Sequence, residues 1–311
     1  APAPDYAIST VDRVDYSNDT ATASPKGPLS VRRYAPTATG TLSFGYFGGG
    51  NFVLPSPGIL SSIDRVDYSN DTATASPKGD LSAARLYLGA TGARENGFVP
   101  LGPAIIPNTT TQNFPVTLYG YFGGGATPSK ISTVDRIDYS NDTATASVRG
   151  SLSVERQGTG ATGNSDFGYF GAGRGAPGAY VSTVDRIDYS NDTPTAVAKG
   201  PMSLIRGFGS ATGDSNFGYF GGGVSPSSPT TSISTVDRVD YSNDTANASP
   251  KGPLSSSRFS LEGFSAQENA ITAGILNPAS AVRENIIPQG TDFGYMIGGE
   301  VSGSSKSKIE R

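Results

Sequence analysis

A ten-residue block, Val-Asp-Arg-(Val/Ile)-Asp-Tyr-Ser-Asn-Asp-Thr, occurs five times in this chain, beginning at Val11, Val134, Val184 and Val236 and, with Ile in first place, at Ile63. A block that returns at near-constant spacing makes the chain a string of one supersecondary unit, since every copy poses the same packing problem. The first Asp of each copy, at Asp12, Asp64, Asp135, Asp185 and Asp237, gives steps of 52, 71, 50 and 52 residues. The period is therefore about fifty residues.

Two further landmarks keep the same register. An aromatic strand that runs into glycines stands at Phe44, Tyr119, Phe167 and Phe217 and, as FGYMIGG, at Phe293. Leu/Met-Ser followed three residues on by arginine places Arg33, Arg85, Arg156, Arg206 and Arg258, again at steps of 52, 71, 50 and 52.

One unit, Gly168 to Gly213, shows what each landmark does. GYFGAG has the aromatics of a half-buried strand and ends in glycines that permit a tight turn or a close backbone approach. In VSTVDRIDYS, Val184, Arg186 and Asp188 fall on one face and Asp185, Ile187 and Tyr189 on the other. Asn191 and Asp192 offer turn residues for a hairpin into TPTAVA. GFGSATG is a small-residue strand suited to a crowded centre. Four short strands per fifty residues is the pattern of a propeller blade.

Over nearly its whole length the chain resembles the kelch-repeat β-propellers, in which an aromatic strand ending in Gly-Gly precedes a strand ending in Tyr, a hairpin, and a connection that carries proline and arginine. The matching residues are Gly48-Gly49, Gly123-Gly124, Gly221-Gly222 and Gly298-Gly299, with Gly171-Ala172 degenerate, then Tyr16, Tyr68, Tyr139, Tyr189 and Tyr241, and the five arginines above. The chain departs from kelch units in having no tryptophan after the hairpin, where Ala, Thr and Ser stand instead. That departure bears on inter-blade packing, not on topology. The STVDRIDYSNDTATAS and GYFGGG units are also similar to tandem-repeat proteins encoded by marine cyanophages.

The resemblance implies a single all-β domain over 1–311, a kelch-like propeller of four antiparallel strands per blade, and the ends of the chain predict that it is five-bladed. Lys308-Ile309 aligns with Lys130-Ile131, while the N-terminus opens with Ile8-Ser9-Thr10-Val11-Asp12-Arg13. The expectation is that N- and C-terminal strands pair in one blade and close the ring without exposed sheet edges.

Composition narrows the function. Gly plus Pro makes 63 of 311 residues, below the level of low-complexity disorder, and aromatic bulk must come from 15 Tyr and 14 Phe because there is no Trp. Without His or Cys the chain cannot build a Ser-His-Asp triad, a cysteine nucleophile or a histidine metal site. The absence of cysteine leaves the redox compartment open. A net charge of −4 with no polybasic stripe argues against nucleic acid. No apolar run approaches the roughly eighteen residues of a membrane span, and no signal peptide is read.

The repeated charges are read as structural, because a reaction needs one asymmetric constellation whereas fivefold groups serve the blade. Asp12, Arg13, Asp15, Tyr16, Asp64, Arg65, Asp135, Arg136, Asp185, Arg186, Asp237 and Arg238, with the repeated tyrosines and arginines, are expected to form ion pairs and turn hydrogen bonds. Asp15, Ser17 and Asp19 copy the first ligand positions of a calcium loop, but its sixth-position Gly and twelfth-position Glu are missing. Asn18-Asp19-Thr20 and its copies also fit the N-glycosylation pattern. Acids outside the repeat (Glu95, Glu155, Asp166, Asp214, Glu262, Glu268, Glu284) show no spacing that pairs two for glycosidase chemistry. No catalytic residue, metal or cofactor is predicted.

Specific function is expected where the repeat breaks, at insertions of about 93–118 and 263–291, each preceding an aromatic-glycine strand and both on one rim. They share a theme, Arg94-Glu95-Asn96 against Arg283-Glu284-Asn285. Phe98, Leu101, Ile105, Ile106, Ile271, Ile275, Leu276 and Ile286 are too apolar for solvated loops. They either cap the ring or dock to a partner. The function expected is that of a non-enzymatic virion structural protein, a phage tail, fibre or capsid-decorating component, that contacts other virion proteins or further copies of itself. The alternative is a secreted or surface propeller that binds host glycan.

Overall fold

In the computed structural model, the described residues are 7–13, 22–41, 43–52, 58–93, 119–226, 231–265, 294–301, 304–305 and 309–310. They form an all-β protein whose helical content is two single turns of 3-10 helix, Tyr68–Asn70 and Tyr241–Asn243. The fold is a β-propeller arrangement of antiparallel sheets.

Four complete blades repeat one design. Blade 1 runs from its inner strand Thr37–Gly40 through Phe44–Gly48 and Ile63–Asp67 to the outer strand Ser76–Pro77. Blade 2 is Gly89–Ala93, Tyr119–Gly123, Val134–Asp138 and Ser147–Arg149. Blade 3 is Gly160–Gly163, Phe167–Gly171, Val184–Asp188 and Val197–Lys199. Blade 4 is Ser210–Gly213, Phe217–Gly221, Val236–Asp240 and Ser249–Pro250. Register is identical in all four: Phe47 faces Asp64, Phe122 faces Asp135, Phe170 faces Asp185 and Phe220 faces Asp237. The Asn-Asp-Thr segment is longer than a tight hairpin turn. In blade 3 it spans 189–196, opened by Asp188, whose carboxylate accepts from Ser190 N and Oγ.

The expected five-bladed ring, closed by pairing the two ends of the chain, does not form. Asp12–Arg13 pairs with Ser24–Pro25 alone, as a two-stranded sheet beside blade 1. The last sheet joins Phe259–Ser265 to Gly294–Val301, which pairs in turn with Ser304–Ser305 and Ile309–Glu310. Met296 faces Glu310 there and Ile297 faces Ile309, the register in which Phe47 faces Asp64 and Gly48 faces Ile63. Ile309-Glu310 thus occupies the Val-Asp position of the repeat, so the slot intended for Val11-Asp12 is taken by a nearby segment. Closing a loop of a few residues costs less entropy than recruiting a strand from the other end of the chain.

Packing between blades is accomplished without tryptophan. In blades 1 to 3 the second-strand tyrosine stacks on the tyrosine that follows the third strand of the next blade: Tyr46 on Tyr139, Tyr121 on Tyr189 and Tyr169 on Tyr241, with centroids 4.8, 5.0 and 4.6 Å apart. Each such pair contributes about 0.5–1.5 kcal/mol beyond its burial. The phenylalanine of the next blade then lies close against a glycine of the one before, since a Cβ on Gly48 would come within 2.8 Å of the Phe122 ring and one on Gly123 within 2.6 Å of Phe170. Glycine in these strands is what lets sheet faces approach.

A second glycine joins successive blades at their outer edge. The N–H groups of Gly27, Gly79, Gly150 and Gly200 donate to the carbonyls of Asp71, Asp142, Asp192 and Asp244 in the following blade. A Cβ on Gly150 would overlap the Pro194 carbonyl oxygen, whereas one on Gly252, the same repeat position after blade 4, meets no atom within 4 Å. Gly150→Ala is accordingly expected to lower stability by about 2–3 kcal/mol or more, and Gly252→Ala to change it by less than about 0.5 kcal/mol. Urea denaturation midpoints of the two variants check this, and equal losses would contradict it.

Candidate functional site: the central channel and the two loop faces

The repeated charges form two inter-element clamps. In the first, the Leu/Met-Ser-x-x-Arg connection latches onto the third strand of the blade it enters. Arg33 bonds Asp64 at 3.0 Å, Arg156 bonds Asp185 at 3.0 Å, Arg206 bonds Asp237 at 2.8 Å, and Arg85 pairs with Asp135. Each aspartate also accepts from the backbone N–H and hydroxyl of one serine, Ser30, Ser82, Ser153 or Ser203. Both side chains of the Arg156–Asp185 pair are fully buried. Desolvation pushes the pKa values of Arg33, Arg85, Arg156 and Arg206 down, against the raising effect of the aspartate partner. Arg258, in the same repeat position, is likewise fully buried.

In the second clamp, the aspartate of the Asn-Asp-Thr turn is a hub. Asp142 accepts from Arg65 at 2.7 Å and from the Tyr46 hydroxyl at 2.9 Å, both in the preceding blade. Asp192 does the same for Arg136 and Tyr121, and Asp244 for Arg186 and Tyr169. Burial, followed by the aspartate's hydrogen bond and charge, pushes the tyrosine hydroxyls upward. Each of these arginines also lies over the first aromatic ring of its own blade, as Arg65 does over Phe44 at 4.3 Å and Arg136 over Tyr119 at 3.9 Å. Asp71 takes the exposed Arg13 at 2.6 Å and Lys26 at 3.4 Å. Positions that imitate a calcium loop in sequence are thus filled by protein donors in the described copies. Asp15 and Tyr16 lie outside the described residues, and Asp12 is exposed, unlike its four buried counterparts.

Of the non-repeated acids, Glu95, Glu268 and Glu284 also lie outside the described residues. Asp214 caps its own turn by accepting from Asn216 N and Phe217 N, and Glu155 is exposed. Glu262 stands apart. Four residues after Arg258, it takes the inner-strand position held by Thr37, Gly89, Gly160 and Ser210 after the other arginines. Those residues, with Thr159, Ala161 and Ala211, line a cavity of about 40 Å³ on the axis where the inner strands converge. The Glu262 side chain is exposed at the channel, and desolvation by the strands around it pushes its pKa up to about 7. It is the one acidic residue among those lining the cavity. Its exception to the repeat was visible in the sequence, but its place on the axis was not.

The apolar insertion residues Phe98, Leu101, Ile105, Ile106, Ile271, Ile275, Leu276 and Ile286, with Arg94, Glu95, Asn96, Arg283, Glu284 and Asn285, lie outside the described residues. Their flanks are described. The first insertion leaves the inner strand of blade 2 after Ala93, and the second follows Ser265 in the last sheet. At the opposite end of the inner strands sit the Leu/Met-Ser-x-x-Arg connections. These connections expose Val31, Val154, Leu204 and Ile205, and Ile8, exposed and bridged to Arg33, adds to the same end.

No family model matches the chain, and no curated protein matches it. Among solved structures, one described as the structure of YjhT is similar over 99% of this chain and 95% of that one, with a TM-score of 0.66 at 11% identity. That similarity concerns the fold, and it supports the propeller arrangement. No helix among the described residues is long and apolar enough to cross a membrane.

Removing one partner of the buried pair by Arg156→Ala should cost about 3–5 kcal/mol, because Asp185 is left charged and buried, and Arg156→Met with Asp185→Leu should recover much of that loss. Arg13→Ala, at an exposed pair, should cost under about 1 kcal/mol. Chemical denaturation of the three variants distinguishes these outcomes.

The raised pKa of Glu262 has a signed consequence. The folded state holds this proton more tightly than the unfolded chain does, so this group's contribution to stability is greatest at low pH and falls as pH rises from about 4.5 towards 7. In chelator-treated buffer, the melting temperature of Glu262→Gln relative to the unsubstituted protein should rise across that window and level off above it. A constant difference would show that the carboxyl titrates as an ordinary one.

Proposed function

We propose that this chain is a non-enzymatic structural component of a virion, a tail, fibre or capsid-decorating protein that works through protein–protein contacts. The observation that carries the reading is how the side chains are divided. The repeated Asp, Arg and Tyr residues are consumed in holding blades together. The connection face exposes apolar side chains, Val31, Val154 and Leu204 in one repeat position, beside polar ones such as Arg32 and Glu155. A set of apolar side chains on one face of the propeller suits docking to a neighbour. Similarity of the repeats to tandem-repeat proteins of marine cyanophages supplies the virion setting.

The chemistry around the channel also favours binding over catalysis. Glycosidase catalysis requires two carboxyl groups at a set separation, and the cavity presents one. Sugar-sized ligands need pockets of about 300 Å³ or more, far beyond the axial cavity.

A second reading, a glycan-binding propeller at a virion or cell surface, draws on Tyr68. That ring is 50% exposed on the turn that carries Asn70 and Asp71, where a sugar could stack and hydrogen-bond. The two readings coincide in an appendage that binds its host.

Mass spectrometry and electron microscopy of purified particles test the first reading. The expected result is a stoichiometric component located on the capsid or tail, and absence from particles overturns it. Val154→Asp with Leu204→Asp should abolish incorporation while leaving the fold intact by circular dichroism. A glycan array without hits removes the second reading.

A further inference from the structure

We propose that the outer edges of blades 2 and 3 are a docking surface for a second copy of this chain, each edge strand adding to its own counterpart across a two-fold axis. The proposal goes beyond the proposed function and does not depend on it, since it concerns the purified chain alone.

Outer strands are of two kinds in this repeat. In the N-terminal hairpin and in blades 1 and 4 the outer strand is two residues long and ends in proline, as Ser24–Pro25, Ser76–Pro77 and Ser249–Pro250. In blades 2 and 3 it is three residues long, Ser147–Arg149 and Val197–Lys199, with Val148 and Ala198 at the proline position. Register shows the equivalence: Pro77 faces Asp64, Pro250 faces Asp237, Val148 faces Asp135 and Ala198 faces Asp185.

That position is the one that faces away from the blade. The residue after it points inward, since Lys78 N–H donates to the Ile63 carbonyl and Lys251 N–H to the Val236 carbonyl, both at 2.8 Å. Backbone groups alternate along an antiparallel strand, so the proline position directs its N–H and C=O outward, past the last strand of the sheet. Proline there removes the outward donor, which is one protection of a sheet edge. Val148 and Ala198 instead present a donor and an acceptor each. A second protection, a cation standing in solvent on the edge, is missing as well. Arg149 is drawn to Asp192 of the next blade at 3.5 Å and Lys199 to Asp244 at 3.1 Å, whereas Lys251 of blade 4 is exposed beside Pro250. Apolar side chains accompany the open edges: Val148 is 58% and Val197 56% exposed, more than any other large hydrophobic among the described residues except Ile8.

The chemistry of these edges selects a second copy as occupant. About a two-fold axis, Val148 N–H donates to the Val148 carbonyl of the other copy and the same bond is returned, so the edge is its own complement. Charge does not oppose the pairing, because residues 143–148 and 193–198 include no acid or base. Area accounts for two edges being open together. One three-residue ladder falls short of the roughly 1,000 Å² of a specific interface. Blades 2 and 3 are neighbours, so a two-fold axis parallel to the line joining their edges lets both pair at once and closes a dimer. Such a small interface implies a dissociation constant on the order of 10⁻⁵ M.

Sedimentation velocity of the full chain between about 1 and 200 µM tests the proposal, with a shift from monomer to dimer expected across that range. Hydrogen exchange at the Val148 and Ala198 amides should slow at the upper end, a change that association through another surface would not produce. Val148→Pro with Ala198→Pro installs the residue that blades 1 and 4 already carry at this position, so its circular dichroism should be unchanged while association weakens at least tenfold. Val148→Lys with Val197→Lys, which puts charge on both edges, is the deciding variant should the proline protein not fold. A monomer at the highest concentration, or a dimer that the substituted proteins form as readily as the unsubstituted one, overturns the proposal. So does a chain that stays monomeric while the same edges take a strand from a purified neighbouring protein, since the edges then serve a foreign partner.

Discussion

The joint between blades depends on one aspartate in each Asn-Asp-Thr turn. Its carbonyl accepts a glycine N–H from the preceding blade, and its carboxylate accepts an arginine and a tyrosine from that same blade, as Asp192 does with Gly150, Arg136 and Tyr121. A charge-assisted bond, a hydroxyl bond and a backbone bond thus converge on a single residue. Because the groups come from two elements remote in sequence, the turn's conformation and the blade's neighbour are fixed together. The tyrosine that bonds the aspartate also stacks on the next blade's tyrosine, so polar and apolar parts of the joint share one side chain.

Small residues are the other half of the arrangement. Glycines at Gly48, Gly123 and Gly171 leave room for a phenyl ring from the next blade, and the small inner strands allow close convergence on the axis. Bulk is supplied once per interface by Tyr and Phe, which is why a chain without tryptophan can still fill the space between blades. Latched connections then bury a guanidinium–carboxylate pair in each blade, an arrangement whose removal is costly but whose net contribution is modest, because desolvation offsets much of the attraction. Such pairs specify which connection enters which blade more than they add stability.

Departures from the repeat locate the functional hypotheses. Connections carry apolar residues into solvent on one face, insertions leave from the other end of the inner strands, and one inner strand puts a carboxyl on the axis.

Period, strand count per unit and the structural role of the repeated charges were all legible in the sequence, because alternation and glycine placement are local properties and five copies of each can be compared. The partners of those charges were not. The expected ion pairs join different elements: Arg65 reaches Asp142 and Arg33 reaches Asp64, contacts that only the assembled sheets bring about. Ring closure was misread for a related reason. Val11-Asp12 and Ile309-Glu310 carry interchangeable patterns, and pattern alone cannot rank two candidates for one slot, whereas chain connectivity favours the nearer strand. The sequence by itself determined the blade, since each blade is held by contacts its own residues encode. Tertiary structure alone decided how many complete blades form and that Glu262 lies on the axis, since both depend on how separate sheets meet around a common centre.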